Sequence, residues 1–166
     1  YSYLLEMGAD VTYRIPERDE GYGLNTNAVR EMHEDGVELI VTVDNGITAL
    51  EEAELIAELG MTLVITDHHQ PLETLPRAAA IVDAHRADDT SPFHDLCGAG
   101  VALKLVAALD GGDTAMALEQ FGELAAIATV ADVVTLSGEN RYLVQLGLRL
   151  LATTDRPGLL VNGRAS

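Results

Sequence analysis

The strongest constraint on the fold comes from two short apolar runs that each end directly in a polar cluster. Residues 39–43 lead into Asp44-Asn45-Gly46, and residues 61–66 lead into Asp67-His68-His69. Between them, residues 50–59 carry apolar side chains at helical spacing, with Thr48 as the expected N-cap and Gly60 as the end of the helix. Strand, helix and strand at these lengths indicate a βαβ unit with parallel strands. Because ligands of open α/β sheets bind beyond the carboxyl ends of the strands, we expect both polar clusters at one edge of one sheet.

The apolar pattern along the whole chain predicts an α/β fold. We expect a mostly parallel sheet flanked by helices in residues 1–95 and a helical part of the same domain, with the start of a connector, in residues 96–166. The predicted strands span 11–15, 37–43, 61–66 and 78–82. The predicted helices span 1–7, 25–35, 48–59, 101–109, 114–128 and 140–151, and the second of them is expected to have Asn25 or Thr26 as its N-cap.

Acidic side chains strongly outnumber basic ones. There are 27 Asp and Glu residues against 10 Lys and Arg, of which only Lys104 is a lysine, and the net charge is −17. Because each phosphate contact requires a cation, this balance disfavours a broad phosphate-binding surface in ordinary salt. One interpretation is an acidic protein with a small-molecule substrate. The scarcity of lysine favours the other, a halophile protein whose excess carboxylates are screened, and under it nucleic acid is not excluded.

Two further features bound the class of protein. No run of eighteen apolar residues and no signal-peptide pattern occurs, so we expect a cytoplasmic protein with no membrane partner. The single Cys97 excludes an internal disulfide and a cysteine zinc site, which favours a buried structural thiol.

The polar clusters at the strand ends are candidate metal ligands. Carboxylates and imidazoles suit Mn²⁺, Mg²⁺, Fe or Zn, and Asp44 and His68 follow strands one βα unit apart. Asp132 lies among apolar residues, where it is either a cap of the following segment or a ligand. From the residue pattern alone, a metal site and purely structural roles both remain open.

Several motifs follow one another in a fixed order over roughly residues 4–160. They are Ile15-Pro16-Glu17-Arg18, Gly21-Tyr22-Gly23-Leu24-Asn25, Val43-Asp44-Asn45-Gly46, Asp67-His68-His69, Gly98-Ala99-Gly100-Val101-Ala102, Ala128-Thr129-Val130-Ala131-Asp132 and Gly138-Glu139-Asn140-Arg141. An Asp-His-His tripeptide alone is weak evidence. The ordered set resembles the DHH phosphoesterase superfamily and, within it, the RecJ-like branch of single-stranded-DNA exonucleases.

The resemblance implies a two-metal phosphodiesterase that uses Mn²⁺ or Mg²⁺ and metal-activated water for in-line hydrolysis. Asp44 resembles the carboxylate that bridges the two metals, and His68 and Asp132 resemble ligands of one of them. His69 resembles the histidine that contacts the scissile phosphate. Asp67 is expected to orient an imidazole. The resemblance therefore implies that Asp44, His68 and Asp132 are metal ligands and that His69 and Asp67 are catalytic residues.

Two glycine-rich stretches are expected to contact the substrate. Glycines let a backbone approach an anion, although they also serve tight turns and close packing. The predicted substrate-binding residues are Arg18, Gly21, Tyr22, Gly23, Gly98, Gly100 and Lys104.

The superfamily's first motif, Asp-x-Asp, and its C-terminal DHHA1-type domain have no counterpart in these residues. The resemblance therefore implies a fragment of a 5′→3′ single-stranded-DNA exonuclease of DNA repair or recombination, which by itself holds at most one weak metal site and is inactive. One alternative is a superfamily hydrolase of short oligonucleotides, cyclic dinucleotides or pyrophosphate. Another is a non-catalytic scaffold that binds replication and repair proteins.

Overall fold

A computed structural model describes residues 1–16 and 21–160, and the chain divides into two compact units, residues 1–81 and 82–166. The first unit contains α1 (Ser2–Glu6), α2 (Thr26–Glu34), β1 (Leu39–Val43), α3 (Leu50–Glu58) and β2 (Thr62–Thr66). The strand β3 (Ala80–Val82) contains the boundary between the two units, which follows residue 81. The second contains α4 (Gly98–Leu109), α5 (Thr114–Ala131), α6 (Gly138–Leu151) and α7 (Pro157–Leu160).

The sheet has the strand order β1-β2-β3, and β1 pairs with β2 in parallel. The register runs from Leu39 opposite Thr62 to Val43 opposite Thr66, so both strands end level with each other. The helix α3 connects them, as a parallel pair requires. Together with the helices of both units, this arrangement confirms the α/β prediction.

The core of the first unit lies between the sheet and its two longer helices. Val29 of α2, Ile56 of α3 and Ile65 of β2 are almost fully buried in one shared hydrophobic cluster. The helix α2 begins as predicted, because the side chain of Asn25 accepts a hydrogen bond from the backbone N–H of Ala28 at 2.8 Å. These contacts anchor the strands whose ends carry the polar clusters.

The N-cap of α3 lies one residue later than predicted. The sequence indicated Thr48 as its N-cap, but Thr48 is exposed and the N-cap is Ala49. The chain before α3 is held instead by the backbone N–H of Ile47, which donates to the carboxylate of Asp67. A buried contact across the sheet edge therefore takes the place of the expected local cap.

The second unit is helical, and its tightest contact joins α5 and α6. A Cβ added to Gly147 would lie 2.1 Å from Cβ of Ala126 and 2.9 Å from the carbonyl oxygen of Gly122, so only glycine allows this approach. Asn140, fully buried at the start of α6, donates from Nδ2 to the carbonyl oxygens of Asp95 and Thr135. These small and polar residues fix how the helices of this unit pack.

The predicted strand at residues 11–15 is wrong. Residues 11–16 form no regular element, and Tyr13 and Ile15 are 68% and 75% exposed. The alternating pattern is present, but the segment has no hydrogen-bonded strand beside it within the described residues, and an isolated strand is not stable. In the same ranges, no helix combines the length and apolar character that crossing a bilayer requires.

Candidate metal centre

Four side chains meet where β1 and β2 end. Asp44 follows β1, and Asp67, His68 and His69 follow β2. Each offers one ligand atom, and these atoms all lie within 4.8 Å of one another. Because the two strands end in register, the polar clusters share one edge of the sheet, which is where parallel topology directs ligands.

Asp44 occupies an unusual backbone conformation at the end of β1. Its φ angle is +66°, in the left-handed region, which costs a residue other than glycine roughly 1–2 kcal/mol and which aspartate tolerates better than most. This conformation turns the chain out of the strand, and Oδ1 of Asp44 lies 2.9 Å from Nε2 of His68. Gly46 completes the turn at φ +108°, where a Cβ would lie 2.8 Å from Oγ1 of Thr42.

Asp67 is a fully buried carboxylate surrounded by hydrogen-bond donors. Its Oδ2 accepts from the backbone N–H of Ile47 at 2.9 Å, and its Oδ1 accepts from the backbone N–H groups of His68 and His69 at 2.8 and 3.3 Å. Burial by itself would raise the pKa of Asp67. The bonds from Ile47, from the ring of His69 and from the N–H groups of His68 and His69 together hold that pKa below its ordinary value of 3.8.

The same carboxylate determines how His69 presents its ring. Nδ1 of His69 lies 2.6 Å from Oδ1 of Asp67. Because an ionised carboxylate only accepts hydrogen bonds, Nδ1 carries the proton, and Nε2 is the remaining ring nitrogen on the far side. The side chain of His69 is 45% exposed and that of His68 is 12% exposed, so the ring of His69 is accessible and the ring of His68 is largely enclosed.

The donor set fits a divalent cation. Carboxylate oxygen and imidazole nitrogen are ligands that Mn²⁺ and related ions accept. Adjacent ligands of an octahedral ion, each about 2.1 Å from it, lie about 3.0 Å apart. The 2.9 Å separation between Asp44 and His68 matches that spacing.

A pocket of about 300 Å³ opens beside His69. The ring of Tyr22 forms part of its wall and meets the His69 ring edge-on, with 5.9 Å between centroids. Glu52, in the first turn of α3, also lines it. Sequence reasoning missed Glu52, although its place in the first turn of the helix after the first polar cluster was a usable signal.

The remaining predicted site residues lie elsewhere. Asp132 is the C-cap of α5, so it caps the preceding helix and not a following segment, and its N–H donates to the carbonyl oxygen of Ala128. Gly98 and Gly100 form the first turn of α4, and Lys104 pairs with Glu139. All of these belong to the second unit, whereas Asp44 and the Asp-His-His cluster belong to the first. Arg18 lies outside the described residues, and the functional roles of this set remain predictions.

Comparison with known proteins decides the family. Residues 1–135 match the family model described as the DHH family, N-terminal domain. The chain belongs to the DHH family. This confirms the resemblance drawn from the ordered motifs, and the four side chains at the ends of β1 and β2 lie within the matched residues.

Several relatives of the chain are single-stranded-DNA-specific exonucleases. The chain is 46% identical over 157 residues to the single-stranded-DNA-specific exonuclease RecJ of Bacillus subtilis, covering 94% of this chain and 20% of the relative. It is 40% identical over 164 residues to that of Escherichia coli, covering 91% and 28%. The chain thus spans between a fifth and three tenths of the length of these curated relatives.

Two solved structures share this fold. A crystal structure of exonuclease RecJ bound to manganese matches with a TM-score of 0.82 and 35% identity, over 96% of this chain and 41% of that one. RecJ from Thermus thermophilus in complex with Mn²⁺ matches with a TM-score of 0.76 and 32% identity, over 96% and 23%. Both relatives carry the metal for which the donor set at β1 and β2 is suited.

Proposed function

We propose that this chain forms part of a metal-dependent exonuclease that hydrolyses phosphodiester bonds of single-stranded DNA in the 5′→3′ direction, in DNA repair or recombination. The observation that carries the proposal is the group of four ligand side chains, all within 4.8 Å, at the ends of β1 and β2. The similarity to RecJ exonucleases supports the choice of substrate. Both units would belong to one DHH domain.

The proposed metal ligands are Asp44 and His68, with Asp132 retained on its match to the superfamily motif. A bound Mn²⁺ or Mg²⁺ would stabilise charge on the phosphate oxygens and lower the pKa of a water molecule. Asp67 would accept the Nδ1 proton of His69 and orient the ring so that Nε2 faces the scissile phosphate. Donation from Nε2 to a phosphate oxygen requires a proton on Nε2 as well, and the carboxylate of Asp67 would stabilise the resulting imidazolium. Asp67 would therefore affect the reaction through the orientation of the His69 ring, without contacting the substrate itself.

The proposed substrate contacts are assigned by motif. Tyr22 stands exposed beside the pocket and offers a ring face to a nucleobase. The set comprises Arg18, Gly21, Tyr22, Gly23, Gly98, Gly100 and Lys104.

The charges of the site make DNA binding depend on the cation. Asp44, Asp67 and Glu52 place three carboxylates around the pocket and the sheet edge. Without a divalent ion they repel a phosphodiester, whereas an ion held by Asp44 and His68 would lower the formal charge of the three carboxylates from −3 to −1 and offer the phosphate a cation. We therefore expect single-stranded DNA to bind weakly in chelator and more tightly in Mn²⁺.

The metal site is tested on the 166-residue chain by titrating Mn²⁺ and recording the electron paramagnetic resonance signal of the unbound ion. We expect Asp44→Asn and His68→Gln each to weaken binding at least about 10-fold, because each removes one ligand. Asp10→Asn, which removes an exposed carboxylate of the same unit, is the matched control and should bind as the wild type does. Equal affinity in all four proteins would refute the metal site.

The reaction is tested in a chimaera. The chain replaces the segment of the Bacillus subtilis RecJ to which it is 46% identical, and single-stranded DNA labelled at either end is the substrate. We expect degradation from the 5′ end, and loss of activity when His69→Ala is introduced without loss of folding. Activity on dinucleotides with none on long strands would instead identify an oligonucleotide hydrolase. A folded, inactive chimaera would favour a scaffold.

A further inference from the structure

We propose that Tyr22 is a positioning residue of the metal centre, which holds the backbone of Asp44 with its hydroxyl and the ring of His69 with its aromatic edge. The inference rests on the proposed function, since it concerns the metal site described there. It gives Tyr22 a task distinct from contact with the substrate. The contacts that support it lie entirely within the first unit.

The hydroxyl of Tyr22 donates a hydrogen bond to the carbonyl oxygen of Asp44 at 2.5 Å. On its other side, the backbone N–H of Asp44 donates to the carbonyl oxygen of Thr66 at 3.0 Å. The sheet thus fixes the peptide that enters Asp44, and Tyr22 fixes the peptide that leaves it. Asp44 is held in its left-handed conformation from both ends.

This matters because the backbone angles of Asp44 set the direction of its carboxylate. At φ +66° the residue has left the strand, and its carbonyl oxygen accepts the hydrogen bond from the Tyr22 hydroxyl. A rotation about the N–Cα bond of Asp44 would move its carbonyl group and its side chain together, and would carry Oδ1 away from its position 2.9 Å from Nε2 of His68. The Tyr22 bond opposes that rotation, so it holds the two proposed ligands at the separation that a cation requires.

The ring of Tyr22 restrains the second histidine. The two rings meet edge-on, with an interplanar angle of 76°. Asp67 already fixes Nδ1 of His69 from one side, and the tyrosine ring limits rotation about the remaining bond. One exposed tyrosine therefore contacts both the residue proposed to bind metal and the residue proposed to contact phosphate.

The glycines beside Tyr22 let the loop reach this position. Gly21 and Gly23 have φ angles of +90° and +86°, which favour glycine. A Cβ added to Gly23 would lie 3.7 Å from Cβ of Asn45, so the loop packs directly against the turn after β1. The Gly-Tyr-Gly sequence thus allows the hydroxyl of Tyr22 to reach the turn that contains Asp44.

The test separates the hydroxyl from the ring with two variants, Tyr22→Phe and Tyr22→Leu. A hydrogen bond at an exposed site is a modest restraint, so we expect Tyr22→Phe to weaken Mn²⁺ binding roughly 3- to 10-fold. The ring-nitrogen NMR signals of His69, recorded with diamagnetic Mg²⁺, should stay unchanged in this variant. Tyr22→Leu removes both contacts, so it should weaken binding at least as much and shift the His69 signals.

Tyr13→Phe is the matched control, because it removes the hydroxyl of another exposed tyrosine of the same unit, whose ring packs on Tyr1. We expect it to bind Mn²⁺ as the wild type does. Circular dichroism verifies that each variant is folded; at 76% exposure Tyr22 contributes little to the core. A purely structural role would lower the urea midpoint of the metal-free protein and leave Mn²⁺ affinity unchanged.

The outcomes distinguish this inference from the function on which it rests. If the wild type binds Mn²⁺ and Tyr22→Phe binds it equally well, the positioning role is refuted and the metal site stands. If the wild type does not bind Mn²⁺, the metal site fails and the positioning role fails with it. Weakened binding with unchanged His69 signals in the Phe variant supports both.

Discussion

The substitution Asp67→Asn tests whether the buried carboxylate organises the sheet edge. The two oxygens of Asp67 accept four hydrogen bonds, one at Oδ2 from Ile47 and three at Oδ1 from His68 and from the backbone and ring of His69. In asparagine one oxygen becomes an NH₂ group. In the better orientation the NH₂ group faces the N–H of Ile47 and leaves that buried donor unsatisfied.

The cost follows from these contacts. An unsatisfied buried donor costs about 1–3 kcal/mol, and the three remaining bonds lose their charge assistance, so we expect about 2–4 kcal/mol in total. Hydrogen exchange followed by NMR reports this locally: the Ile47 amide should exchange roughly 30- to 700-fold faster, provided that it opens by local unfolding. Asp10→Asn, at an exposed site, is the control. Exchange at Ile47 within about threefold of the wild type would refute the organising role.

The pH dependence of stability gives a second readout of the same carboxylate, with a chelator present. Because the folded-state pKa of Asp67 lies below its ordinary 3.8, its contribution is fully present above pH 3.8 and is lost as pH falls through the lowered folded value. The wild type should therefore lose stability in that acid window, and Asp67→Asn should lose less of it. Parallel curves for the two proteins would contradict this cause of the pKa shift.

Two glycine substitutions test the packing. Gly46→Ala should cost about 2–3 kcal/mol in urea unfolding, because φ is +108° and the new Cβ meets Oγ1 of Thr42 at 2.8 Å; a neutral result would show that the turn relaxes readily. Gly147→Ala should cost about 3 kcal/mol, because its Cβ would lie 2.1 Å from that of Ala126 and force α5 and α6 apart. Gly158→Ala is the control, because a Cβ at this position meets nothing within 4 Å, and it should change stability by less than about 0.5 kcal/mol. Similar changes in stability for Gly147→Ala and Gly158→Ala would refute the close contact between α5 and α6.

The sequence was informative where local pattern and topology agree. The parallel pairing of β1 with β2 followed from the βαβ pattern, and the order of the motifs along the chain was enough to indicate the DHH family. The cap of α2 at Asn25 was also predictable, because a side-chain acceptor three residues before its donor is a local signal.

Features that depend on distant partners were not predictable. The helix α5 continues to Ala131, three residues beyond the expected end. Thr129 is fully buried in this last turn, and its hydroxyl lies 3.5 Å from Sγ of Cys97, which is 32 positions away. The link from Tyr22 to Asp44 joins residues 22 positions apart with no repeating pattern between them. Neither hydropathy nor capping residues encode such contacts.

The level ends of β1 and β2 also determine where this chain tolerates insertions. Val43 pairs with Thr66 at the ends of the two strands. The positions of Asp44 and His68 therefore depend on how many residues separate each of them from this pair. One residue inserted within β2 would move His68 by about 3.3 Å and turn it to the opposite face of the sheet. One residue inserted at Gly60, where a Cβ would meet nothing within 4 Å, leaves that count intact. Length variation in natural or engineered versions of this domain is therefore expected between α3 and β2, and not between the strands and their polar clusters.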